Sequence, residues 1–153
     1  MRLRIISVGK KHDPAIAGAI NDYTNRLSRT LQVEWELIAP SGSPESRARK
    51  DESDRIVQRL KPQEAVWLLD ERGTQVSSSA LSQRLDMLLT SGTGQCTIII
   101  GGAYGVDGAL RDKADFVWSL SKLVFPHQIV RLLVVEQLYR ATEIRRGSSY
   151  HHE

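Results

Sequence analysis

The chain has 153 residues, of which 41% are apolar and 25% charged, and a formal net charge of +3. These values predict one ordinary globular domain over residues 1–153, and they exclude a disordered chain or a membrane-spanning one, which needs roughly 20 consecutive apolar residues. The single Cys96 excludes an intrachain disulfide, no spacing of Cys and His resembles a metal site, and the mild basicity is compatible with an anionic partner without establishing one.

Apolar runs alternate with amphipathic stretches along the whole chain, and five runs are predicted as strands, at residues 2–9, 33–39, 65–70, 97–101 and 116–120. The first of these runs is cut short by Gly9, which favours a strand over a signal peptide, so we expect a cytoplasmic protein. Start signals and helical spacing predict three helices between the strands. The first follows Asp13 and Pro14 and has apolar positions at Ile16, Ile20, Tyr23 and Leu27. The second follows Ser43 and Pro44 and reaches about Leu60, and the third starts near Ser78 or Ser79, with Leu81, Leu85 and Leu88 on one face. Strands that alternate with helices predict an α/β fold with a mostly parallel sheet and helices on both faces.

The most polar segment of the chain covers residues 41–55. Its basic residues Arg47, Arg49 and Lys50 are candidates for contacts with RNA phosphates. A mobile loop followed by a solvated helix start accounts for the same composition, so the segment alone does not separate the two interpretations.

A last helix is predicted over residues 128–143. Its apolar residues cover more than half of the helix circumference, a wider arc than we expect one sheet face to bury, and this favours an interface with a second subunit. Arg131 lies within that arc, where an unpaired charge would be costly. The sequence leaves two partners open for it: a salt bridge across the interface, or an anionic ligand at its edge.

Two segments have the composition of a binding site. Residues 97–110 read TIIIGGAYGVDGAL, and glycines directly after a parallel strand allow a sharp turn and a close approach of the backbone to a ligand. Residues 119–131 read SLSKLVFPHQIVR, in which an apolar loop after Ser121 could enclose an adenine ring, and Pro126 and His127 open the last helix. A tight turn and an ordinary helix start are the competing interpretations of these two segments.

The chain ends in GSSYHHE, residues 147–153. Chain ends commonly fray. Tyr150 could instead stack on a base, beside the imidazoles of His151 and His152, so the tail is either a frayed end or an arm that contacts a substrate.

Together, the runs IIIGGAYG and LVFPHQIVRLLVVEQLYRA and the closing Tyr150 and His151 resemble the RlmH family of SPOUT-class methyltransferases. The likeness extends from the opening RLRIISVGK to the final YHHE. It implies a C-terminal trefoil knot that holds S-adenosyl-L-methionine. It further implies a homodimer that acts on assembled ribosomes and methylates N3 of a pseudouridine in large-subunit (23S) ribosomal RNA.

The resemblance also implies site residues, matched position by position. Those expected to hold the cofactor are Leu69, Asp70, Gly102, Ser121, Lys122, Leu123, Val124, Phe125 and Pro126. Those expected on the substrate side, in catalysis, are His127, Arg131, Arg140, Tyr150 and His151. His152 departs from the family, which has a long basic residue there, and an imidazole is a weaker contact than a guanidinium.

The chemistry requires loss of the N3 proton before or during transfer. His127 or His151 could accept this proton, or cationic neighbours alone could favour its loss to water. A nicotinamide- or flavin-dependent oxidoreductase is a rival function, but the spacing is GGxxG rather than GxGxxG. Two more functions stay open: a ribosome-associated RNA-binding protein without catalysis, and a methyltransferase that acts on tRNA.

Overall fold

A computed structural model describes residues 1–152, so Glu153 of the predicted tail lies outside the described residues. Strands and helices alternate along the described chain: β1 Arg2–Val8, α1 Ala17–Leu27, β2 Gln32–Ile38, α2 Glu45–Val57, β3 Ala65–Gln75, α3 Ser78–Thr90, β4 Gln95–Ile100, α4 Gly108–Arg111, β5 Phe116–Ser119 and α5 His127–Arg145. The strands form one sheet in the order β2-β1-β4-β3-β5, in which all neighbouring strands are parallel. The predicted α/β class is confirmed, whereas the C-terminal knot stays a prediction.

The two faces of the sheet support separate apolar cores, because successive side chains of a strand point to opposite faces. In β4, Cys96 and Ile98 pack with α1, α3 and α5, whereas Ile99 between Ile98 and Ile100 packs with α2 and α4. Cys96 is fully buried, as expected of a small core residue, and burial raises the pKa of its thiol to about 12. Helices therefore cover both faces, as predicted.

Two element boundaries differ from the sequence prediction for reasons visible in the hydrogen bonds. The first helix begins at Ala17 rather than Pro14, because Asp13 organises a separate turn: its carboxylate accepts from the Ala15 amide (2.8 Å) and its carbonyl from Ala17 (2.8 Å). Strand β3 continues to Gln75 rather than stopping at residue 70, because β5 pairs with it on both sides of a register shift between Leu69 and Thr74.

The last helix, α5, lies between α1 and α3 on one face of the sheet. Val134, Val135, Leu138 and Ala141 are fully buried within the chain itself. The sheet face alone does not cover this apolar arc: the two flanking helices cover the sides that the sheet leaves open, so the width of the arc by itself does not require a second subunit. The apolar surface that α5 still exposes is narrower than its whole apolar arc, and it includes Ile129 in the first turn, which is 38% exposed.

Within residues 1–152, none of the helices combines the length and the apolar character needed to cross a membrane. Over the same stretch, no cluster of three or more His, Cys, Asp or Glu side chains is arranged to hold a metal ion.

Candidate functional site

A cavity of about 830 Å³ opens at the carboxyl ends of β4 and β5, beside the middle of the longer strand β3. This is the end of a parallel α/β sheet at which ligands usually bind. Eight of the nine residues predicted to hold the cofactor line it: Leu69, Asp70, Gly102, Ser121, Leu123, Val124, Phe125 and Pro126. The ninth, Lys122, is exposed and is not part of the lining, whereas His127 is. The two segments that the sequence singled out after β4 and β5 therefore meet in one place, beside Leu69 and Asp70, which the resemblance implied.

The glycine turn after β4 leaves no room for a side chain at Gly102. The Gly105 amide donates to the Gly102 carbonyl (3.1 Å), and Gly105 has a φ of +73°, which favours glycine. A Cβ added at Gly102 would lie 2.6 Å from Glu52 Oε2. Helix α2 fixes the far side of the turn, where Arg49 Nε donates to the Tyr104 carbonyl (3.0 Å). Gly102 thus lines the cavity with main-chain atoms alone, and the space that a Cβ would need is occupied by Glu52 and Val8.

Glu52 is a buried carboxylate beneath this turn that sequence reasoning missed. Its side chain accepts from the Ser41 amide through Oε1 (2.8 Å), whereas Oε2 has no hydrogen-bond partner within the described chain, and the residue is only 4% exposed. The surrounding segment is so polar that Glu52 looked solvated. Helical spacing could have predicted that Glu52 is buried, because Ala48, Glu52 and Ile56 share one face of α2 and all three are buried.

Asp70 places a negative charge at the edge of the cavity. Its carboxylate accepts from the Arg72 amide (2.9 Å) and from Arg72 Nη2 (3.1 Å), and it is also paired with Arg111. Partial burial opposes ionisation of Asp70, but the hydrogen bonds from Arg72 and the charge of Arg111 outweigh it and hold the pKa of Asp70 below its ordinary value. The group is therefore a carboxylate at neutral pH.

The loop between β5 and α5 presents apolar side chains to the cavity mouth. Leu123 is 69% and Val124 75% exposed, which is unusual for aliphatic side chains. Side-chain hydroxyls hold the loop from within: Ser121 Oγ accepts from the Leu123 amide (3.0 Å), and Ser119 Oγ donates to the Ser121 carbonyl (2.9 Å). An ordered apolar surface of this kind suits a flat ring.

His127 begins α5 and lies against Gly9, since a Cβ added there would be 3.5 Å from His127 Nε2. Burial, and then the charge of Arg131, lower the pKa of His127 below its ordinary value, while Glu52 acts in the opposite direction. The imidazole is consequently neutral at neutral pH and able to accept a proton.

Arg131 finds its hydrogen-bond partners within its own chain. It is fully buried and binds oxygens of β1 and the loop after it: Nε donates to Ser7 Oγ (2.8 Å), Nη2 to the Val8 carbonyl (3.0 Å) and Nη1 to the Lys11 carbonyl (2.8 Å). Among residues 1–152, no carboxylate lies within 4.0 Å of it. A fully buried guanidinium so engaged would influence a substrate only by positioning the loop and His127.

The other predicted substrate residues lie along the middle and the C-terminal half of α5. Tyr150 folds back onto this helix, and its hydroxyl donates to Glu136 Oε1 (3.2 Å), which also accepts from Arg140 Nη2 (2.6 Å). His151 follows and is partly buried. Arg140 is thirteen residues beyond His127, or about 20 Å at the rise of an α-helix. One chain therefore divides the predicted catalytic residues into two groups, only one of which reaches the cavity.

Comparison with known proteins decides the family. A family model described as "Predicted SPOUT methyltransferase" matches residues 1–151. The chain belongs to the SPOUT methyltransferase family. The resemblance seen in the motifs is thereby confirmed, and the rival oxidoreductase function is excluded.

Curated SPOUT relatives match this methyltransferase over nearly its whole length. A protein of Acetivibrio thermocellus named "Ribosomal RNA large subunit methyltransferase H" is 39% identical over 99% of both chains. A protein of Geotalea daltonii with the same name is 37% identical over 99% of this chain and 100% of its own. A solved structure, of a "probable methylase family protein" from Haemophilus influenzae, aligns with a TM-score of 0.54 at 12% identity, covering 99% of this chain and 70% of that one, which supports the fold alone.

Proposed function

We propose that this SPOUT methyltransferase transfers a methyl group from S-adenosyl-L-methionine to N3 of a pseudouridine in large-subunit ribosomal RNA, within the ribosome. The observation that carries the proposal is the convergence of the glycine turn, the apolar loop and His127 on one cavity. Relatives named for the ribosomal RNA of the large subunit, matched over 99% of this chain, support the substrate. A cytoplasmic location accords with a ribosomal substrate.

The cavity fits the proposed donor in size and chemistry. Its volume of about 830 Å³ lies within the ~300–1,000 Å³ usual for small-molecule sites. Leu123 and Val124 offer an apolar surface to the adenine ring, bare backbone at Gly102 admits the methionine part, and the Asp70 carboxylate suits hydroxyl or ammonium donors. When bound, the cofactor supplies a methyl group already activated by a sulfonium, so the protein has mainly to align the acceptor and exclude water.

The residues of this chain can supply the proton transfer. Neutral His127 would accept the N3 proton, N3 would take the methyl group, and the electron pair of the broken carbon–sulfur bond would stay on sulfur. Arg140 would favour the anionic form of the base through its charge. His151 is the alternative proton acceptor, since it adjoins Tyr150 in the tail.

We further propose that the site is completed by a homodimer. Ile129, Leu133, Glu136 and Arg140 recur at helical spacing and form an outward stripe along α5. If two copies pack along this stripe in antiparallel orientation, the Arg140 end of one chain lies beside the His127 end of the other. A symmetric interface of this kind would unite the two groups of residues that a single chain keeps about 20 Å apart.

We expect Ile129→Glu to convert the dimer to a monomer in sedimentation equilibrium, because it places a charge in the apolar part of the stripe. Met87→Glu, at a residue 60% exposed on α3, is the matched control and should leave the dimer intact. Val134→Glu, which the sequence alone suggests for this purpose, is unsuitable because Val134 is fully buried inside the chain. A wild-type protein that sediments as a stable monomer would contradict the dimer.

Titration calorimetry should show S-adenosylmethionine binding with a Kd in the micromolar range, or about −8 kcal/mol. We expect Gly102→Ala to weaken this binding at least tenfold, since the added Cβ lies 2.6 Å from Glu52 Oε2 and 3.1 Å from Val8, so that the buried carboxylate or the turn must shift. Gly108→Ala is the control, because a Cβ at Gly108 meets nothing within 4 Å. Binding of NAD or FAD, with no binding of S-adenosylmethionine, would refute the proposed cofactor.

A further inference from the structure

We propose that Glu136 is a positioning residue for methyl transfer, which holds Arg140 and Tyr150 in the geometry that receives the RNA base. The proposal rests on the proposed function, because it concerns how two of the predicted substrate residues are presented. Sequence reasoning gave Glu136 no role.

A single carboxylate oxygen binds both residues. Glu136 Oε1 accepts from Arg140 Nε (3.0 Å) and Nη2 (2.6 Å), and from the Tyr150 hydroxyl (3.2 Å). The side chain of Glu136 is only 17% exposed, so these charge-assisted bonds are partly shielded from water. This one oxygen therefore joins the two side chains, and Tyr150 has a further hydroxyl contact with Tyr23 (3.3 Å).

The other oxygen is anchored from α3. Gln137 Nε2 donates to Glu136 Oε2 (2.7 Å), and Gln137 Oε1 accepts from Ser78 Oγ (2.7 Å). Ser78 is the first residue of α3, so the carboxylate is fixed to a second helix rather than to α5 alone. A surface ion pair of the ordinary i,i+4 kind has no such support.

Aromatic contacts complete the arrangement and leave part of Arg140 available. The guanidinium carbon of Arg140 lies 4.8 Å from the centre of the Tyr150 ring, whose edge-on neighbour Tyr139 is also at 4.8 Å. Burial, the hydrogen bond with Tyr23 and the charge of Glu136 raise the pKa of Tyr150, so the phenol stays a neutral donor. Arg140 Nη1 takes no part in the bonds to Glu136, and it can donate to an oxygen of the substrate base.

The test compares Glu136→Ala and Glu136→Gln with Glu143→Gln, which removes another acid of α5 whose partner is the exposed Arg146. For each full-length protein we would measure S-adenosylmethionine affinity, kcat and KM for ribosomes, and hydrogen exchange of the amides of residues 147–152. We expect Glu136→Ala to lower kcat at least thirtyfold and to speed tail exchange at least tenfold, with cofactor affinity within about twofold. Glu136→Gln should lie between it and wild type, and Glu143→Gln should match wild type.

A double-mutant cycle separates positioning from a merely structural effect. In a background that carries both Arg140→Ala and Tyr150→Phe, Glu136→Ala should add less than threefold to the loss of kcat, because its effect acts through these two side chains. Additive losses would overturn the proposal, as would an unchanged or increased rate, or a lower rate with an unchanged tail. If the wild-type protein does not methylate ribosomes, the proposed function fails, and the exchange measurement still decides whether Glu136 holds the tail.

Discussion

Deletion of residues 148–153 is expected to lower methyl transfer to ribosomes by at least a hundredfold, while S-adenosylmethionine affinity stays within about tenfold, or ~1.4 kcal/mol. The residues that line the cavity all lie between Glu45 and Val130, so the truncation removes none of them. The tail docks instead at the middle of α5, outside the cavity lining, where Tyr150 contacts Glu136. Its loss removes substrate alignment and any proton acceptor supplied by His151 at the same time.

Single substitutions then divide the effect of the tail. A large loss in His151→Ala alone would indicate proton removal by that imidazole, whereas equal losses in Tyr150→Phe and His151→Ala would indicate positioning of the base. Truncated protein that transfers methyl groups at the wild-type rate would refute a substrate role for the tail. If the truncation abolishes cofactor binding as fully as methyl transfer, the proposed separation between the cofactor cavity and the substrate residues of the tail is refuted.

The largest loss of stability is expected from Arg131→Met, at about 3–5 kcal/mol in the free energy of unfolding. Methionine fills much of the space but leaves the Ser7 hydroxyl and the Val8 and Lys11 carbonyls without their donor. Because these bonds join the loop after β1 to α5 one turn after His127, we also expect His127 to lose its fixed position against Gly9.

Denaturant unfolding at one fixed protein concentration measures this change, since a dimer's apparent stability depends on concentration. Arg145→Met is the control: Arg145 forms an exposed ion pair with Asp86, and such pairs contribute at most about 1 kcal/mol. If Arg131→Met lowers the free energy of unfolding no more than the control does, the conclusion that Arg131 links β1 to α5 is contradicted.

The strands and the cavity were predictable because their signals are local. An apolar run that ends in Gly101 and Gly102 predicts both a buried strand and a glycine turn after it. The cofactor expected in the cavity came instead from the family resemblance of the motifs, including the loop before His127. The extension of β3 was not predictable, because it depends on a second stretch of pairing with β5 beyond the register shift. Local sequence carries no information about which distant strand will supply those hydrogen bonds.

Charged residues were the main source of error, since their partners lie far away in sequence. Arg131 is bound by oxygens more than 100 residues away, in and just after β1. Glu52 and Glu136 looked like solvated helix residues until the fold placed one beneath the Gly102 turn and the other beneath Tyr150. In polar segments, an acid at helical spacing from buried apolar residues is the pattern that predicts such a role.

The most direct test of the proposed function is to incubate ribosomes that lack the modification with the protein and methyl-labelled S-adenosylmethionine, and then to map the label. The proposal predicts label on N3 of one pseudouridine of the large-subunit RNA, in an amount that Gly102→Ala and the tail deletion both sharply reduce. Label confined to tRNA, or no label in any RNA from a protein that binds S-adenosylmethionine, would contradict it.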